Sequence, residues 1–480
     1  MMWWENGLLL TGKPASMPSY TNTLRAIATG SLLSLFAACS KHDSDSIINP
    51  PADLSYAPAN AVTLKGNADT SSTPTVSWQG KKGTFAFAGA VPQGVTINPS
   101  TGKLSWPSSL PIGAYIFPIV ASNGALTSDT VQYTLTVSGP ITTIAGNTQG
   151  FSGDGSIALN AQFNQPSDLT VDADGNIYIA DTYNSRIRRI AKDGTISTFA
   201  GNGNFGFSGD GASAQQSVLS GPNGIVTDSA GNLYVTDYGN NRIRKIDASG
   251  KITTIAGSTY NTAYYLGDEG PATSAGLYLL AGKVTLDKEG SLYIADYGNQ
   301  RIRKVTPDGI MHTIAGTGTA GFVVPDGTPA QNANIGGPAS VYFDASKNSL
   351  YIVTVFSYMY QLKQGEIFDL AGNKPVSYNE QGGGDGAPAI QSNLVRLSNI
   401  AVDKAGNIFF ADFGNNRIRR ISPDGIITTV AGNGKYGFSG DGGPAAAATL
   451  AHPYGLAVDS NGDLYIADTQ NNRIRKVTLH

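Results

Sequence analysis

A short apolar segment, ending in Asp in five copies and in Thr in the other, occurs six times along this 480-residue chain, and its spacing constrains the fold more than any other feature. Ile177-Tyr178-Ile179-Ala180-Asp181 starts at 177, and its relatives start at 233, 292, 350, 408 and 464, so the period is 56 to 59 residues. Repeats of this length built from short strands read as the blades of a β-propeller with a long loop per blade. Each repeat offers four strands. Strand a carries Gly-(Ile/Leu)-Ala-Val-Asp, b is Leu-Tyr-Ile-Ala-Asp, c is Arg-Ile-Arg-Lys-Ile, and d is Ile-Thr-Thr-Ile-Ala-Gly. The repeats contain six copies of a, b and c but only five of d between them; the sixth d strand, Ile141 to Gly146, stands first. The last repeat, Tyr454 to Val477, ends without a d strand of its own. An N-terminal strand that completes the C-terminal blade closes the ring and leaves no open sheet edge. The expected fold class is therefore all-β: a six-bladed propeller of four-stranded blades over 139–480, preceded by a small β-sandwich.

The joint occurrence of Ala-Val-Asp, Leu-Tyr-Ile-Ala-Asp and Asn-Asn-Arg-Ile-Arg-Lys in six copies resembles the NHL repeat over about 340 residues. That resemblance implies an interaction platform for proteins, RNA or other polymers. A minority of related propellers are enzymes, the peptide-amidating lyases and lactonase-like proteins, and these hold a metal in the channel.

Upstream, short alternating runs such as Thr75 to Trp78 and Val131 to Val137 are separated by turn residues at sandwich-like spacing. The stretch Pro92 to Leu104 followed by Gly113-Ala114-Tyr115 resembles the Ig-like modules of bacterial surface proteins, so 59–138 is expected to be a spacer. Residues 39–58, polar and with Pro50-Pro51, read as a flexible tether. Ahead of it, Arg25 and the short apolar run Ala26 to Ala38 have the form of a signal peptide over 1–38, with Met17 as an alternative start. Leu35-Phe36-Ala37-Ala38-Cys39 resembles a lipobox, which implies cleavage before Cys39 and its lipidation. Cys39 is the single cysteine, so no intrachain disulfide forms. These features predict a lipid-anchored protein of the bacterial cell envelope, at the outer membrane and exposed at the surface, touching the membrane through its lipid alone.

Charged residues make up 14% of the chain and the net charge is −3, which gives no field to attract nucleic acid. The repeated Asp and Arg of the b–c turns (Asp181 with Arg186, Asp237 with Arg242, Asp468 with Arg473) are expected to pair as turn locks. Loops d–a carry Phe151-Ser152-Gly153-Asp154-Gly155 and its relatives. With one carboxylate each they fall short of the six to eight oxygens of a calcium site, so Asp is assigned as a cap on a short helical turn; no cofactor is expected, the alternative being calcium held at the channel mouth by Asp168, Asn223 and Asn399.

Function is sought where the repeats disagree. The entry pairs of strand a are Ser167-Asp168, Asn223-Gly224, Gly282-Lys283, Ala339-Ser340, Ser398-Asn399 and Tyr454-Gly455. An acid, a base and neutral polar groups make the channel mouth asymmetric, as a ligand site must be; the alternative is an Asp168–Lys283 pair that neutralises itself. Blade 4 departs furthest, with Thr354-Val355-Phe356-Ser357-Tyr358-Met359-Tyr360 in place of the Asp–Arg turn. Tyr264, Tyr265, Tyr378 and Tyr436 add aromatics to nearby loops. Aromatics beside polar groups suit sugar rings or protein partners, so Ser167, Asp168, Asn223, Lys283, Ser340, Asn399, His452, Tyr454 and Tyr358 form the predicted site for a glycan or protein ligand. No catalytic residue is expected. Of four histidines, His42, His312 and His480 lie away from the mouth and only His452 approaches it, which rules out a three-histidine zinc site within one chain.

Overall fold

The computed structural model describes residues 50–480 except 80, 125, 259–264, 280–281, 322–323 and 373–382. Cys39 and the whole signal segment lie outside the described residues, as do Tyr264 and Tyr378.

Six antiparallel sheets follow one another in the order a-b-c-d. In blade 1 these are Pro166–Val171, Ile177–Asp181, Arg186–Ile190 and Ile196–Ala200. The b strands are buried at every position because neighbouring blades cover both of their faces. That double cover explains a nearly continuous apolar run instead of alternation. The c strands are polar yet largely buried. Short edge strands, Gly270–Pro271 and Thr328–Pro329, widen the third and fourth blades to five strands.

Closure follows the strand count. Ile141–Ala145 pairs antiparallel with Arg473–Val477, Ile141 opposite Val477 and Thr143 opposite Arg475. The last blade is therefore completed by the first strand of the domain, and its core joins Ile141 to Leu456, Ile466 and Val477.

The N-terminal module is a sandwich around Leu104, Phe117, Ile119, Tyr133 and Leu135. Its main sheet runs Asn60–Leu64, Val131–Ser138, Gly113–Ser122 and Thr84–Phe87. It begins earlier than composition predicts: Ala52–Ser55, inside the expected tether, pairs with Thr75–Ser77, and Leu54 and Tyr56 enter the core. Two apolar side chains outweigh the polar run that surrounds them. Only Gly139 and Pro140 separate the last sandwich strand from the closing strand of the propeller. Both sides of that junction are held, since Ala446 N–H donates to Ser138 Oγ (3.1 Å), Ala445 N–H to Gly139 O (2.8 Å) and Thr478 N–H to Pro140 O (3.1 Å).

The turn lock differs from the expected pairing. Asp181 stands opposite Arg186 in the sheet register, but its carboxylate meets the guanidinium of Arg188, two residues further on. Arg186 instead donates to the carbonyls of Asn184 and Asn202 and lies 3.8 Å from the centre of the Phe151 ring. The other guanidinium nitrogen of Arg188 bonds Asp154 of the d–a loop at 2.7 Å. The same arrangement recurs as Asp237–Arg244–Asp210, Asp296–Arg303–Asp268, Asp412–Arg419–Asp385 and Asp468–Arg475–Asp441. All five arginines are fully buried. The d–a aspartates are therefore ion-pair partners and not helix caps: the short 3-10 turns that follow, such as Ala158–Asn160 and Ala445–Ala447, have no side-chain cap. A buried guanidinium needs charge and hydrogen-bond partners, and two carboxylates from separate loops supply both.

Candidate ligand site at the channel mouth

Strand a is innermost, so its first residues reach the axis from every blade. Asp168, 3% exposed, is the centre of the group. Its Oδ2 lies 3.1 Å from Lys283 Nζ and accepts the Ile225 N–H at 3.0 Å, while Oδ1 accepts Asn399 Nδ2 at 2.7 Å. Lys283 crosses from blade 3, its ammonium donating also to the carbonyls of Ser167 (2.9 Å) and Asn223 (3.0 Å). Ser340 donates to Asn399 Oδ1 at 3.0 Å, and Ser398 to the Tyr454 carbonyl at 2.7 Å. Above this layer the Tyr454 ring covers Lys283, its centre 5.0 Å from Nζ. Three donors of Lys283 meet three acceptors, so the amine is satisfied.

Burial works against both charges. It pushes the Lys283 ammonium down to about 8, opposed by Asp168, and it pushes the Asp168 carboxyl upward, opposed by Lys283 and the Ile225 N–H. Burial also raises the Tyr454 phenol, with Asp168, Tyr297 and Tyr183 adding in the same direction and Arg396 opposing. Blades 1, 3, 5 and 6 thus converge on one place over the axis, through Asp168, Lys283, Asn399 and Tyr454. Asn223 Oδ1 is buried without a hydrogen-bond partner among the described residues.

Ser167, Asp168, Asn223, Lys283, Ser340, Asn399 and Tyr454 are thus brought together, as a floor whose polar groups bind one another across the channel. His452 stands beside it. Its ring stacks on Phe413 (centroids 4.4 Å apart) and meets Tyr436 edge-on at 5.2 Å. Burial and the nearby Arg396 lower its pKa. Tyr358 is elsewhere. It is 5% exposed in the core between blades 3 and 4, stacked on Tyr360, whereas Phe356 of the same turn is 38% exposed. Tyr358 leaves the mouth because the register sets it where other blades have the first Arg of strand c, and Tyr360 where they have the buried one.

The site also contains residues that the strand-a comparison passes over. Immediately after the b-strand end, the b–c turns carry Tyr183, Tyr238, Tyr297, Phe356 and Phe413, one ring from each of five blades. The ring takes the first turn position where Gly follows, as in Tyr238-Gly239, and the second where Thr or Val precedes, as in Thr182-Tyr183. That alternation is visible in the repeats and would have located the collar. Tyr183 is 57% exposed; Tyr238, Tyr297 and Phe413 are partly buried. Arg396 joins them, its guanidinium carbon 5.7 Å from the centre of the Phe413 ring.

This is a closed NHL-type propeller with an Ig-like domain at its N-terminal side, and the family comparisons agree. Residues 201–266 and 288–439 match the model described as "Teneurin NHL domain", 163–190 and 450–477 match "NHL repeat", and 45–138 match "Putative Ig domain". The chain is 27% identical to chicken teneurin-1 over 353 residues, 67% of this chain but 13% of that protein. It is 29% identical to bovine NHL repeat-containing protein 2 over 349 residues, 65% of this chain and 46% of that protein. The chain therefore spans less than half the length of either relative. Two solved structures from Bacteroides thetaiotaomicron share the fold with a TM-score of 0.51 each. One is a protein of unknown function (18% identity, 91% of this chain and 99% of that one) and the other an auxiliary nutrient binding protein (16%, 90% and 98%).

Proposed function

We propose that this chain is a lipid-anchored envelope protein whose propeller mouth binds carbohydrate. The observation that carries the reading is the collar of partly exposed rings, contributed by five of the six b–c turns, over a polar floor. Aromatic faces stack on the C–H faces of sugar rings, and the hydroxyl and amide groups around them bond sugar hydroxyls. The floor supplies shape and rigidity, since its own donors and acceptors are largely matched. A structure of the same fold is a nutrient binding protein, which fits a binding role. Lipidation at Cys39 would hold the mouth outside the cytoplasm, where polysaccharides are met.

The test is native affinity electrophoresis of the full chain in non-ionic detergent, through gels containing xylan, mannan, starch, pectin or alginate. At least one polymer is expected to retard migration, with the retardation weakened at least tenfold in a Tyr183→Ala/Phe413→Ala double variant. Unchanged migration in every gel would overturn the carbohydrate reading and point to a protein ligand, sought then by crosslinking on intact cells.

A further inference from the structure

One backbone position recurs in each blade just before strand a. Its residue is left-handed in blades 1, 2, 4, 5 and 6: Gln165 (φ 52°), Gly221 (59°), Gly337 (50°), Arg396 (51°) and His452 (48°). The conformation is forced by the junction between blades. It aims the N–H at a side chain in the b–c turn of the preceding blade, as in Gln165 to Asn472 Oδ1 (2.8 Å), Arg396 to Ser357 Oγ (3.0 Å) and His452 to Asn416 Oδ1 (2.9 Å). Glycine meets this demand without strain, and blades 2 and 4 use it. A side chain there carries a penalty of order 1 kcal/mol. The strained residues fall on three consecutive blades, 5, 6 and 1, on one side of the mouth. Nothing in the junction requires their side chains, because the bond is made by the backbone.

Two of those side chains, Arg396 and His452, build a contiguous surface with neighbouring rings. Arg396 lies over Phe413, Phe413 stacks on His452, and Tyr436 meets the imidazole edge-on. Phe413 also meets the Tyr454 ring edge-on at 5.8 Å. Arg396 is exposed, and among the described residues no carboxylate pairs with it, whereas Lys283 below is matched by Asp168. A guanidinium presents a planar fork that fits a carboxylate through two hydrogen bonds. Set beside stacked rings, it fits a sugar that carries a carboxylate.

We infer that the Arg396–His452 arc is a subsite for the carboxylate of a uronic acid residue. The inference rests on the carbohydrate reading above and narrows it to acidic glycans. Arg396 holds the carboxylate, His452 serves a neighbouring hydroxyl, and the exposed Tyr436 ring takes the sugar face.

The probes are polygalacturonate and its methyl ester, which share a backbone and differ in the charge. Full-length protein in detergent is expected to be retarded at least tenfold more strongly by the acid. Arg396→Gly and His452→Gly place the residue found at positions 221 and 337, so both variants fold with an unchanged or raised melting temperature. Arg396→Gly is expected to remove the preference for the acid, and Arg396→Lys to restore part of it. Equal retardation by acid and ester, or full acid preference in Arg396→Gly, would overturn the subsite while leaving the carbohydrate reading standing. Binding confined to neutral polymers would do the same. Absence of retardation by all polymers would overturn both.

Discussion

In blade 5 the space between the b–c turn and the d–a loop holds Asp412, Arg419 and Asp385; in blade 4 the corresponding positions hold Thr354, Tyr360 and Asp326. The first socket is ionic, with a fully buried guanidinium between two carboxylates. The second keeps one carboxylate, which accepts the Asp369 N–H at 2.7 Å, and fills the remaining volume with the Tyr358 and Tyr360 rings. Thr354 takes over the turn by accepting the Tyr358 N–H and donating to its carbonyl. Blade geometry survives the exchange, so the fold requires a filled socket that closes the turn, and charge is one of two ways to fill it. The ionic version depends on every partner, because each buried charge left alone is costly.

That contrast can be broken most severely by removing the cation from an ionic socket. Arg419→Leu leaves Asp412 buried and unpaired, and the loss of unfolding free energy is expected to be about 3–5 kcal/mol, read from the urea midpoint. A smaller effect is expected when the blade-4 solution is copied whole. Asp412→Thr/Arg419→Tyr removes both buried charges and should lose less than half as much as the single variant; an equal loss would show that the neutral socket works only with the surroundings of blade 4. A further difference is a pH dependence confined to ionic blades. Burial raises Asp181 and Asp468 from 3.8 to about 6, outweighing their hydrogen bonds. The folded state then holds protons that the unfolded chain has released, so stability falls as pH rises from about 3.8 to about 6 and levels off above it. Asp181→Asn should flatten part of that slope in denaturation midpoints taken from pH 4 to 7, and a slope identical to the native protein's would refute the assignment.

Much of this was readable beforehand, and the boundary of legibility has physical causes. Alternation and turn residues mark the strands, and the surplus d strand ahead of the first blade predicts the closure seen between Ile141–Ala145 and Arg473–Val477. The partner of each turn aspartate was not readable. Arg186 and Arg188 are two residues apart and so share a face of the strand, and either could turn inward. The choice is made by Asp154 and Phe151, which arrive from a loop more than thirty residues earlier. At the mouth, the strand-a positions Asp168, Lys283 and Asn399 stand out in the sequence, but their mutual satisfaction depends on distances across the axis. The arc of Arg396 and His452 left a trace that only register makes meaningful: Gly221-Pro222 and Gly337-Pro338 correspond to Gln165-Pro166, Arg396-Leu397 and His452-Pro453.

The sequence by itself determined the number of blades, the order of their strands and the way the ring closes. Those properties follow from local periodicity and from counting, which need no knowledge of what lies across the channel. Tertiary structure decided which arginine is buried, which aromatic of the blade-4 turn faces solvent and which residues meet over the axis. Each of these is settled by groups distant in the chain that compete for one volume and one set of charges, and the outcome exists only once the ring has closed.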